Sequence, residues 1–158
     1  MSRKLSSPCK AQTTGSVAQA ITQAIPAQYA NTNPGQWEVV VFDSEDVNAF
    51  ALPGGRIGVY TGLLKVAKNQ DQLAAVIGHE VSHVLAQHSN ERLSQSQVAN
   101  IGMAAADSIL KNSTTKGPAM AALGMGVQYG VLMPYSRAHE TEADVLGLQL
   151  MATAGFNP

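Results

Sequence analysis

The chain is 158 residues long, 45% hydrophobic and 13% charged, with a formal net charge of −1. That length fits one domain with enough apolar material for a full core, and the near-neutral balance excludes an electrostatic attraction to nucleic acid. Cys9 is the single cysteine, which excludes an internal disulfide.

Residues 1–14 carry Arg3, Lys4 and Lys10 but no apolar stretch of the kind a signal peptide needs. They read as a disordered or tag-like N-terminus ahead of a domain over 15–158. Ser6-Ser7-Pro8 before Cys9 suits a tail cysteine better than a lipid anchor. Val17, Ile21, Ala24 and Ile25 recur at helical spacing and predict a first helix over about 15–29. Pro34-Gly35 marks a turn, and Trp37 to Phe42 is aromatic and β-branched enough for a strand. Asn48-Ala49-Phe50-Ala51-Leu52 and Arg56 to Tyr60 flank Pro53-Gly54-Gly55, a hairpin signal in which both glycines are free to take positive φ.

Thr61 to Ala67 predicts a short helix, and Asn69 an N-cap with Asp71 in the following first turn. The helix that follows, about 70–88, has apolar positions at Leu73, Val76, Ile77, Val81, Val84 and Leu85. Residues 91–110 and 118–133 predict two more helices, and 136–154 a last one. The uncharged run from Gly117 to Ser136 is broken by Pro118, Gln128 and Pro134, so it reads as a close-packed buried helix before a membrane- or partner-facing one. Helix, small sheet, then helices make an α+β domain.

The chemistry-bearing pattern is His79-Glu80-Val81-Ser82-His83. Histidines at i and i+4 lie about 40° apart around a helix and roughly 6 Å along it, so both imidazoles can converge on one tetrahedral zinc. Glu80, about 100° further round, can face a metal-bound water. His88 and Glu91 are too far along the same straight helix to share that ion unless the helix breaks. The longer HExxHxxGxxH pattern fails at Ala86 and Ser89. The remaining source of a third ligand is His139-Glu140-Thr141-Glu142-Ala143-Asp144 on the last helix. Glu140 and Asp144 share a face, with Glu142 about 200° from Glu140. One carboxylate of the pair can bind metal while its neighbour accepts a hydrogen bond from a ligand imidazole.

Asn48 to Gly55, Ile57 to Leu64, the helix with His79, Glu80 and His83, and Tyr135-Ser136-Arg137 with Glu140 to Asp144 stand in an order that resembles metallopeptidase family 48. The likeness covers roughly residues 36–158. It implies a mainly helical, zincin-like (gluzincin) catalytic domain with a small sheet and hairpin before the HExxH helix. It also implies one zinc per chain held by His79, His83 and Glu140, Glu80 as general base, and Asp144 supporting a ligand histidine. The family branch with a soluble catalytic domain is the more similar one. That implies a bacterial periplasm or cell envelope, association with a membrane through a lipid anchor or partner, and protein quality control.

The expected reaction is hydrolysis of unfolded or extended polypeptide. Tyr135, Arg137 and His139 are candidates for steadying the oxyanion or touching substrate, and Asn48, Ala49, Phe50 and Ala51 for a strand that pairs with it. A zinc-bound chaperone-like module with weak or latent peptidase activity is the alternative reading. Oligomeric state has no signature in the sequence.

Overall fold

A computed structural model describes residues 8–158; for residues 8–10, Val131, Pro134 and Tyr135 the description is confined to the backbone. The described chain divides into two compact units, residues up to Gln87 together with Glu142–Pro158, and His88–Thr141.

The first unit opens with α1 (Pro8–Gln23). This helix starts well before residue 15, so much of the expected N-terminal tail is helical, while residues 1–7 lie outside the described ones. Proline suits the first helical turn, where its missing N–H would have had no partner. Thr14, Val17, Ala18 and Ile21 are buried at spacings of three and four, so the buried stripe begins one turn earlier than the apolar pattern suggested. The helix also stops early. Pro26 has no N–H to continue the ladder, and Ala27–Tyr29 forms a separate 3₁₀ turn.

Strands β1 (Glu38–Phe42), β2 (Ala49–Leu52) and β3 (Arg56–Tyr60) form one sheet in the order β1-β3-β2. β1 runs parallel to β3, and β2 pairs antiparallel with it through the predicted hairpin. Of the two turn glycines only Gly55 takes positive φ, at 78°. Side chains alternate across the sheet. Val41, Ala49, Ile57 and Val59 are buried. They face a helical layer of α1, α3 (Gln70–Leu85) and the C-terminal part of α6 (Met133–Ala154). Ile21, Ile77, Val81 and Leu150 fill that layer, each contributing about 1.5–3 kcal/mol by burial. α2 (Thr61–Val66) packs against β3, and its Lys65 pairs with Glu45, whose carboxyl that ammonium holds below the ordinary carboxylate range.

α3 and α6 cross at two glycines. A Cβ added to Gly147 would lie 3.0 Å from the His79 backbone nitrogen, and one added to Gly78 would lie 3.1 Å from the Gly147 carbonyl oxygen. The main chains therefore touch where the first histidine of the motif sits. α6 ends at Gly155, φ 87°, with Phe156 N–H donating to Met151 C=O at 3.0 Å, as a left-handed helix terminus requires. Asn157 N–H then bonds Asp71 in the first turn of α3 at 3.0 Å.

The second unit holds α4 (His88–Ile109), α5 (Lys116–Val127), a π-helical turn over Gln128–Leu132 and the start of α6. Here the expectation of a close-packed buried helix over 117–136 is corrected. α5 has no buried residue, and Leu123, Met125 and Tyr129 are exposed. It packs against α4 and leaves an apolar groove lined by Val98, Met103, Leu123 and Val127. Among the described residues no helix is long and apolar enough to cross a membrane.

The helix crossing makes a sign-changing prediction for two Gly→Ala substitutions. Gly15 in α1 has nothing within 4 Å of a new Cβ, so Gly15→Ala should stabilise by up to about 1 kcal/mol through helix propensity. Gly147→Ala gains the same propensity but drives a methyl into backbone, which costs about 1–3 kcal/mol and should lower Tm. Thermal unfolding of the two variants checks this; a rise in Tm for both would remove the crossing as a constraint.

Candidate metal centre

α3 is specified locally at both ends. Asn69 caps it, accepting from Gln72 N–H at 2.9 Å, and Asp71 lies in the first turn beside the positive helix end. At the other end Ala86 N–H bonds Ser82 C=O, and Gln87 takes φ 57°, which breaks the helix at Leu85. Leu73, Ile77, Val81, Val84 and Leu85 bury one face. His79, Glu80 and His83 are half-buried on the rest of the surface.

The two imidazoles converge. His79 Nε2 and His83 Nε2 are 3.0 Å apart, with ring centroids 4.6 Å apart and planes at 77°. His79 Nδ1 lies 2.8 Å from Asp144 Oδ1 across the α3–α6 crossing. A carboxylate at that distance accepts from Nδ1–H, which leaves the Nε2 lone pair of His79 facing the convergence point. Tetrahedral zinc with N ligands at about 2.0–2.1 Å separates them by about 3.3–3.4 Å, close to the observed spacing. The donor set thus fits a divalent metal of this class.

Asp144 takes the outer role, leaving Glu140 one turn earlier on the same face of the continuous helix α6. Glu140 accepts from Arg92 Nη2 at 3.1 Å, with both side chains about half exposed. Sequence reading missed Arg92, because a guanidinium 48 residues away carries no periodic signal. α3 ends at Leu85, before His88 and Glu91. They are instead engaged by His139, whose ring stacks on His88 at 4.2 Å and whose Nε2 lies 2.7 Å from Glu91 Oε2.

His139 is itself 4% exposed. Little of its surface faces solvent, and it lines a cavity with Arg92, Gln128 and Ser136. Arg137 is exposed, and the Tyr135 side chain lies outside the described residues. Asn48, Ala49, Phe50 and Ala51 fall on or beside β2, an edge strand against which α3 packs.

A family model described as peptidase family M48 matches residues 11–158. The chain is 38% identical over 125 residues to the mitochondrial metalloendopeptidase OMA1 of Schizosaccharomyces pombe, covering 78% of this chain and 35% of that protein. It is 40% identical over 124 residues to the OMA1 protein of Arabidopsis thaliana, covering 77% and 24%. With the β-barrel assembly-enhancing protease of Escherichia coli K12 the identity is 30% over 135 residues, covering 82% and 28%. The chain spans about a third or less of the length of these curated relatives.

Asp144→Asn should weaken divalent-metal binding by about 10–100-fold, because a neutral amide accepts the imidazole N–H more weakly than a carboxylate and no longer raises the basicity of the ligand nitrogen. Competition with a chromogenic chelator measures this, with circular dichroism to show that the fold is intact. Unchanged affinity in a folded variant would remove Asp144 from the centre.

Proposed function

We propose that this chain, which belongs to peptidase family M48 and is a metalloendopeptidase domain of that family, uses zinc held by His79, His83 and Glu140 to hydrolyse extended polypeptide. The observation that carries the reading is the convergence of the two Nε2 atoms, with the far side of His79 bonded to Asp144. Glu140 is the ligand of choice because helix geometry sets it one turn from the carboxylate already engaged with His79.

Zinc at such a centre supplies a Lewis acid that polarises the scissile carbonyl and acidifies a water. The protein's own groups do the rest. Asp144 fixes the His79 tautomer and raises the basicity of its ligand nitrogen. Glu80 follows His79 directly on α3, about 100° round the helix, and serves as general base. It removes a proton from the attacking water and returns it to the departing amine. The free edge of β2 supplies main-chain groups to align the substrate backbone beside α3.

The role is proposed to be protein quality control in a bacterial envelope. The Escherichia coli relative, named for enhancing β-barrel assembly, supports this, while the OMA1 relatives named as mitochondrial are the more similar in sequence. The exposed apolar residues of α4 and α5 favour a second reading, a protein-binding module whose peptidase activity is weak.

Casein hydrolysis by the zinc-loaded wild type and by Glu80→Gln separates these. The substitution should lower kcat by at least about 10²-fold with zinc content unchanged. Equal rates would overturn the role of Glu80. No hydrolysis by either protein would favour the binding module, and failure of the purified chain to take up zinc would remove the metal reading itself.

A further inference from the structure

The sheet face turned away from the helical layer carries an aromatic cluster with one ring from each strand. Phe42, Phe50 and Tyr60 have centroids 5.7–6.1 Å apart, Phe42 stacked on Phe50 and Tyr60 edge-on to both. The arrangement depends on Gly58, which pairs with Phe50 in the β2–β3 register. A Cβ on Gly58 would occupy the volume of the Phe50 ring. The ring is therefore laid flat across the strand and braced on two sides, although it remains half-buried. On the same face the next β2 residue, Leu52, is 46% exposed.

The hydrogen-bond register says what meets this ring. Tyr60 N–H donates to Asn48 C=O at 3.1 Å, so residues 48, 50 and 52 direct their main-chain groups toward β3. Ala49 and Ala51 direct theirs to the open edge of β2. An extended peptide pairing there in antiparallel fashion would bond Ala49 and Ala51 and would place one residue directly across from Phe50. That is a non-hydrogen-bonded position, where opposed Cα atoms approach to about 4.5 Å and side chains are closest. The side chain of that residue projects onto the aromatic face, and its two neighbours point toward α3.

We propose that Phe50, set on Gly58 and braced by Tyr60 and Phe42, is a specificity-determining residue that selects a large apolar side chain at one position of the bound peptide. The inference rests on the β2-edge reading of substrate binding and extends it to a substrate class: segments with an apolar residue on the outer face, as in unfolded chains that would form a core. The preference comes from contact between an aromatic ring and an apolar group on a prebuilt surface. Polar side chains there lose hydration without gaining a partner.

The test uses the zinc-loaded chain and matched peptides that differ only in Leu, Phe or Ser at each successive position. In wild type one position should favour Leu or Phe over Ser by about 10–100-fold in kcat/KM. Phe50→Ala should reduce that ratio to near one by lowering kcat/KM for the Leu and Phe peptides, and Phe50→Leu should restore most of it. Uniform loss across all peptides would overturn the assignment, since it marks a structural role for the ring. An unchanged preference in Phe50→Ala would overturn it while leaving the peptidase reading intact. Fluorescence anisotropy of labelled Leu and Ser peptides on Glu80→Gln gives a second readout independent of hydrolysis. Selective binding lost with Phe50→Ala in that background supports the proposal even if wild type cleaves nothing, whereas equal binding of both peptides overturns it.

Discussion

Gly78 and Gly147 let two helix backbones meet where any side chain would hold them apart, and the contact between His79 and Asp144 at the candidate metal centre depends on that approach. The next residue after Gly78 is His79, and Asp144 lies one turn before Gly147, so the closest approach of the axes is also where imidazole meets carboxylate. Such a bond is short and directional only if the helices do not slide. The crossing is held by Ile77, Val81, Leu146 and Leu150 on either side, all buried in one cluster. Core packing and site geometry are thus one interaction seen from two faces of the same helix.

That coupling explains the division of labour along α6. Its C-terminal part buries Leu146, Leu150 and Met151, while the turn bearing Asp144 is left at the surface to reach His79. One turn further back the helix enters the second unit, where Glu140 meets Arg92 and His139 is enclosed by His88 and Glu91. Two histidines stacked and buried beside a carboxylate form a polar anchor in a unit that otherwise buries little. α4 presents Leu93, Val98, Ile101 and Ile109 to the outside, and α5 Leu123 and Met125, a composition suited to lying against something apolar.

The three-stranded sheet serves both layers. Its inner face closes the core over α3, and its outer face carries the aromatic cluster. The strand order β1-β3-β2 puts the hairpin's first strand at the edge next to α3. Reversing the order of β2 and β3 would bury β2 between two strands and make β3 the edge instead. A short hairpin with one positive-φ glycine, Gly55, fixes the β2–β3 register, and that register sets which of the Ala-Phe-Ala residues faces outward.

Much of this was legible in the linear chain, because it follows from local periodicity. The strands, the hairpin, the Asn69 cap and the pairing of His79 with His83 are each set within a few residues, where backbone geometry alone dictates which groups share a face. The same reasoning failed wherever the deciding partner was distant. The start of α1 depended on a buried stripe that begins at Thr14; the exposure of α5 depended on what lies opposite it; and the helix break at Gln87 carries no glycine or proline to announce it. The contacts of His139 with His88 and Glu91 likewise join residues about 50 positions apart, which no local pattern shows. By itself the sequence determined which side chains could bind a metal, since spacing on a helix is a property of the chain. Which carboxylate supports which imidazole was decided only by the tertiary structure, because the answer lies in the crossing of two helices 65 residues apart, closed by glycines whose only signal is the absence of a side chain.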